Sequence, residues 1–255
     1  MRMILSARML KATAYVLAVA VMPVPLHADT FSRFVPEIEA FSRQAAPAPG
    51  QASRAPAQRT LFLGSSSVRL WDVTHGFPGI SATNRGFGGA TTPDVLHFYR
   101  QVTAGTPPAN VVVYVGENDV AAGTLPEEVA DDVLTLLDRI HDDFPKAHIA
   151  YLSMKPSPAR WALWPKMVQV NRIVRSKAGR DFTYVDVASS LLDRDGRPED
   201  AYFRPDGLHM NAAGYARWNA IVDDYVEPDG PAETPPPPTS PAPVAPTGET
   251  KTATS

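Results

Sequence analysis

Between Thr60 and about Tyr225, short apolar runs alternate with longer stretches in which apolar residues return every three or four positions. The short runs are TLFL (60–63), ISAT (80–83), NVVVYV (110–115), HIAYLS (148–153) and FTYVDV (182–187). VVVYV has no polar alternation, the pattern of a strand covered on both faces. In the longest spaced stretch, TLPEEVADDVLTLLDRIHDDF, Val129, Val133, Leu136, Leu137 and Ile140 fall on one helical stripe. Thr124 with Glu127 three residues later predicts a capping box at its start. Further helices are predicted over 93–102, 164–177 and 211–225. A chain that alternates strand and helix pairs its strands in parallel through right-handed crossovers. The expected fold is an α/β domain over 59–227, a three-layer α/β/α sandwich with a five-stranded parallel sheet. A small amphipathic helix around Phe34 to Phe41 precedes it, separated by the Pro/Ala-rich QAAPAPGQASRAPAQ (44–58).

Both ends break the pattern. Residues 1–28 carry Arg2, Arg8 and Lys11, then an uncharged run from Ala12 to Met22, then small residues near Ala28. A basic start, a short apolar middle and a small residue before a polar stretch read as a secretory signal peptide cleaved near Ala28. The protein is therefore expected in the periplasm or outside the cell, with an uncleaved membrane anchor as the other reading. The apolar run is short for a membrane span, so no stable span is expected after cleavage. Nine of the 26 prolines lie in 228–255, a composition that buries nothing and predicts a disordered tail. That tail is either passive or a tether.

Composition narrows the chemistry. With 255 residues and 44% hydrophobic content, one domain with a sizeable core fits. The net charge of -3 and the lack of any Lys/Arg-rich run speak against a nucleic-acid partner. There is no cysteine, which excludes thiol nucleophiles, disulfides and Cys-ligated zinc. No metal-ligand cluster is visible, and no cofactor is implied.

Function in a parallel sheet gathers at the carboxyl ends of strands. Gly64-Ser65-Ser66-Ser67 follows the first run, NRGFGGATT (84–92) the second, and GEND (116–119) the third; DGLH (206–209) precedes the last helix. Together they supply hydroxyls, glycine-rich backbone, a carboxamide, a carboxylate and an imidazole. These are the parts of acyl transfer: a hydroxyl needs a base, an imidazole can be that base, and a carboxylate fixes the imidazole's tautomer. Each segment alone has a plainer reading. Ser caps helices, Asp-Gly marks turns, and Asn-Asp makes loop hydrogen bonds. Gly86-x-Gly88 lacks the third glycine of a dinucleotide loop, since position 91 is Thr.

In this order, the four segments resemble the four blocks of the SGNH (GDSL-type) hydrolase family. GSSSVRLW, GENDVAAG and KPSPARWALWP are similar to a bacterial subgroup related to its acetylhydrolase-like branch. The resemblance spans roughly 60–222 and implies a flavodoxin-like α/β/α esterase. It implies Ser66 as nucleophile with His209 and Asp206. It further implies an oxyanion hole from the Ser66 and Gly89 backbone N–H groups and the Asn118 carboxamide. Ser65 stands where the family has Asp, which leaves the choice among Ser65, Ser66 and Ser67 to be settled by structure. Arg69 and Trp71 either line the pocket or support it. Lys155, Arg160, Trp161 and Trp164 follow the fourth strand and could wall a pocket, the tryptophans equally being helix packing. The expected partner is a small-molecule or glycan ester, with a lysophospholipid or other lipid as a further option; a non-catalytic envelope or carbohydrate-binding module is the rival class.

Overall fold

The computed structural model describes residues 31–44, 59–105 and 107–226. The expected signal peptide (1–28), the linker (44–58) beyond Gln44 and the tail (228–255) lie outside the described residues. Five parallel strands form one sheet: β1 (Arg59–Gly64), β2 (Ser81–Gly86), β3 (Asn110–Tyr114), β4 (His148–Leu152) and β5 (Thr183–Val185). Their order is β2-β1-β3-β4-β5. The chain therefore runs to one side of β1 and then to the other, which makes the β1/β3 edge the switch point where ligands gather in such folds.

Alternate residues feed two cores. Leu61, Leu63, Val111, Val113, Ile149 and Tyr151 face one side, where α1 (Val35–Gln44), α7 (Pro126–Asp143) and α8 (Trp164–Lys177) cover them. Phe62, Val112, Tyr114, Ala150 and Leu152 face the other, against α2 (Ser66–Arg69), α3 (Val73–Gly76) and α9 (Ala212–Val222). Burial on both faces explains why the third run shows no polar alternation.

Two expectations shift. The long helix starts at Pro126, not through a Thr124 cap: Leu125 is extended (ψ 144°) and has no capping side chain. Proline fits the first helical position and pushes its predecessor out of helical geometry. A capping box does occur three helices earlier, where Thr91 and Asp94 bond reciprocally at the start of α4 (Thr92–His97). The helix expected over 93–102 relaxes at Phe98 into α4 and α5 (Tyr99–Val102), and the Phe98 ring packs edge-on against Phe34 and Phe87.

Candidate active site

The site is assembled by loops tied together at the carboxyl ends of β1, β2 and β3. Gly64 ends β1 at φ +148°, and a Cβ there would lie 1.9 Å from the Tyr114 carbonyl oxygen. Only glycine lets the chain turn that close to β3. The Ser65 N–H then donates to that same oxygen (3.1 Å), and the Phe87 N–H to the Gly64 oxygen (3.1 Å). Asn84 stitches the next turn: its Nδ2 donates to the Val68 and Trp71 carbonyls while its Oδ1 accepts the Gly86 N–H.

The chain then launches α2 at Ser66. Ser66 Oγ lies 2.9 Å from His209 Nε2, and His209 Nδ1 lies 2.8 Å from Asp206 Oδ2. An ionised carboxylate only accepts, so Nδ1 carries the ring hydrogen and Nε2 presents its lone pair to the hydroxyl. Asp206 Oδ1 accepts the Leu208 and His209 N–H groups, both at 2.9 Å. The His209 ring, with these backbone donors, holds the Asp206 carboxyl down at about 2, so it is charged at any neutral pH. Ser65 and Ser67 are both buried, and of the three serines it is Ser66 that meets the imidazole.

The groups expected to donate to an oxyanion come from the turns that follow β1, β2 and β3. Asn118 opens α6 (Glu117–Ala122), and its Nδ2 donates to the Ala90 carbonyl at 2.9 Å, one residue from Gly89. That bond uses one amide hydrogen and leaves the other. Gly89 adopts φ +74°, and among the described residues its N–H and that of Ser66 donate to no other group. Such an arrangement can take a proton from a hydroxyl and receive charge on an oxygen bonded to the same carbon.

The expected pocket residues divide. Lys155 has no exposure at all; its Nζ donates to Glu117 and to the Leu208 carbonyl (2.9 Å). It walls no pocket, because a buried ammonium needs a carboxylate and Glu117 supplies it from inside. Trp71 is 3% exposed, with its Nε1 on Asn219 Oδ1 at 2.7 Å and its ring among Phe62, Phe77 and Trp218, and it lines a cavity of about 340 Å³ with His75 and Arg204. Arg160 reaches Glu117 Oε1 (3.1 Å) and Asn118 Oδ1 (2.9 Å). Arg69 is exposed beside Gly88 and lines a cavity of about 490 Å³ with Arg59 and Arg85. Trp161 and Trp164 stack at 6.2 Å. Trp161 also lines a cavity of about 320 Å³ with Pro158, Arg197 and Glu199, next to the Ala159 N–H that binds the Gly207 carbonyl.

Two contributors escaped the sequence reading. Glu117 is buried in the middle of this network. Burial alone would push its carboxyl up, but Lys155 and Arg160 together pull it below the ordinary range. Glu37 of α1 accepts the Gly88 N–H at 3.1 Å. A carboxylate beside the known Asn118 was the available hint for Glu117; nothing in the chain's pattern pointed from residue 37 to residue 88.

The sequence profile of the GDSL-like lipase/acylhydrolase family matches residues 64–217, from the glycine before the serines to beyond His209. The chain belongs to this family. The family assignment makes it a hydrolase of the ester-cleaving kind. Solved structures share the family fold. One is a Streptococcus pneumoniae protein provisionally described as a platelet activating factor: 22% identity over 76% of this chain and 94% of that one, TM-score 0.64. A GDSL-like lipase from Bacteroides thetaiotaomicron matches at 20% identity, with 76% and 96% coverage and TM-score 0.57. An acetylxylan esterase from Geobacillus stearothermophilus, a catalytic mutant, matches at 16%, with 68% and 95% coverage and TM-score 0.57. No curated protein matches the chain closely enough to stand as a relative. Among the described residues, no helix is long and apolar enough to cross a membrane, and no group of three or more His, Asp or Glu could hold a metal ion.

Proposed function

We propose that this GDSL-family protein is a serine esterase that works through an acyl-enzyme. The observation that carries the reading is the unbroken line Ser66 Oγ–His209 Nε2 (2.9 Å) and His209 Nδ1–Asp206 Oδ2 (2.8 Å). His209 accepts the Ser66 proton as the oxygen attacks the ester carbonyl, then returns it to the departing alcohol. A water, deprotonated by the same imidazole, releases the acid and regenerates Ser66. Asp206 keeps the ring in the right tautomer and stabilises the imidazolium. The Ser66 N–H, Gly89 N–H and Asn118 Nδ2 bind the oxyanion, each donor contributing about 10² to 10³ in rate in comparable sites. The chemistry asks for no cofactor.

A glycan O-acetyl ester is the second reading of the substrate. It draws on the acetylxylan esterase that shares the fold, and on the Trp161 cavity, where an indole and charged side chains could meet a sugar's apolar face and its hydroxyls. The basic, apolar start of the chain supports export from the cytoplasm.

The deciding experiment is turnover of p-nitrophenyl acetate by wild-type protein and Ser66→Ala. The variant should lose about three or more orders of magnitude in kcat while folding normally, as triad losses do. Wild-type rates in the variant would dismiss Ser66 as the nucleophile, whereas no turnover of any acyl ester by wild type would favour the binding-module reading instead.

A further inference from the structure

A buried carboxylate joins the two halves of the site. Glu117 sits one residue before Asn118, and three groups converge on its carboxylate: the Tyr114 hydroxyl, Lys155 Nζ (3.2 Å) and Arg160 Nη1 (3.1 Å). Each of the two cations has a second bond. Lys155 Nζ donates to the Leu208 carbonyl (2.9 Å), the residue between Asp206-Gly207 and His209. Arg160 Nη2 donates to Asn118 Oδ1 (2.9 Å). One arm therefore reaches the imidazole loop and the other the oxyanion carboxamide.

The second arm fixes which way the carboxamide points. A guanidinium only donates, so the atom of Asn118 facing Arg160 is the oxygen. The Ala90 carbonyl only accepts, so the atom facing it is the nitrogen. Flipping the amide would set N–H against N–H at one end and oxygen against oxygen at the other. Arg160 also polarises the amide: drawing on Oδ1 makes the Nδ2 hydrogens more acidic and better donors. Its planar fork spans Glu117 and Asn118 at once, which a lysine ammonium cannot do with the same geometry. The side chain is 20% exposed and is spent on these inward partners.

We infer that Arg160 is a positioning residue, set by the buried Glu117 carboxylate, that aims and polarises the Asn118 amide for the oxyanion instead of binding an anionic part of the substrate. This rests on the proposed serine-esterase reading. It makes one further demand: removing Arg160 should matter only while Asn118 is present.

The test is a double-mutant cycle on the rate at which a fluorophosphonate modifies Ser66, a reaction that needs the oxyanion donors but no natural substrate. Arg160→Ala should slow modification about 10- to 100-fold, less than the roughly 10² to 10³ lost when an oxyanion donor is itself removed. In an Asn118→Ala background the same change should cost no more than about twofold. With uncharged p-nitrophenyl acetate, the loss should fall on kcat and leave KM nearly unmoved. Should Arg160→Ala not fold, Arg160→Lys runs the same cycle, because a single ammonium nitrogen lacks the fork whose two nitrogens bond Glu117 and Asn118 separately. Equal losses with and without Asn118, a loss confined to KM, or no loss at all would overturn the inference. A wild-type protein whose Ser66 never reacts would remove the esterase reading and this inference with it, and so is distinguishable from failure of the inference alone.

Discussion

The two acids that frame the site respond oppositely to their surroundings. Asp206 accepts from the His209 ring and two backbone N–H groups, and its carboxyl is held at about 2. Its side chain is half exposed, so the favourable interaction is screened. Asp119 is buried, with one oxygen on the Thr92 N–H (2.9 Å) and the other without a partner among the described residues. Burial pushes its carboxyl up to about 6 from an ordinary 3.8, against the Thr92 bond. The folded chain therefore keeps this proton while the unfolded chain has released it, and Asp119 weakens the fold progressively as pH rises from about 4 to 6. The full cost, at most about 3 kcal/mol from a shift of that size, is present above pH 6. Asp119→Asn should thus raise Tm relative to wild type by more at pH 8 than at pH 4, as followed by thermal melts. An offset that is the same at both pH values, or larger at pH 4, would contradict this account.

At the scale of elements, α1 does more than cover the sheet. Phe34 packs edge-on against Phe87 (5.0 Å between centroids), and Glu37 receives the N–H of Gly88. Phe34, in the short turn that leads into α1, and Glu37 within it thereby brace the two residues just ahead of Gly89. Glu37→Ala should lower kcat for p-nitrophenyl acetate about tenfold, the scale of loss when a reacting group drifts by a fraction of an ångström. Glu37→Gln keeps an acceptor and should stay within about twofold of wild type. Wild-type kcat in Glu37→Ala, or equal losses in both variants, would show that the brace is not felt at the site. Elements of strong period were legible in the chain: VVVYV as a doubly covered strand, the Val129–Ile140 stripe as a helix. The start of α7 was misread because Pro126 at the first helical position outweighed the Thr124 cap. β2 runs on to Gly86, past the expected end at 83, through Asn84 and Arg85. Asn84 is polar because its amide bonds the Val68, Trp71 and Gly86 backbone, and Arg85 is buried over the Phe41 ring, so apolar run length alone does not register where the strand ends.

Across the whole molecule, the sheet order brings residues 66, 89, 118 and 209 to one edge. The four segments were legible because each sits where a parallel strand ends, or where a loop returns to that edge. The interior wiring was not legible. Lys155 and Arg160 look like pocket residues in a string of letters, since a string does not say which way a side chain turns. Lys155 turned inward because Glu117, 38 positions away, offered the counter-charge. If this edge makes Ser66 a nucleophile, fluorophosphonate treatment followed by peptide mass mapping should give a single stoichiometric adduct on the peptide containing Ser66, abolished by His209→Ala and by prior unfolding. An adduct on Ser65, Ser67 or elsewhere, or none on the folded protein, would contradict it.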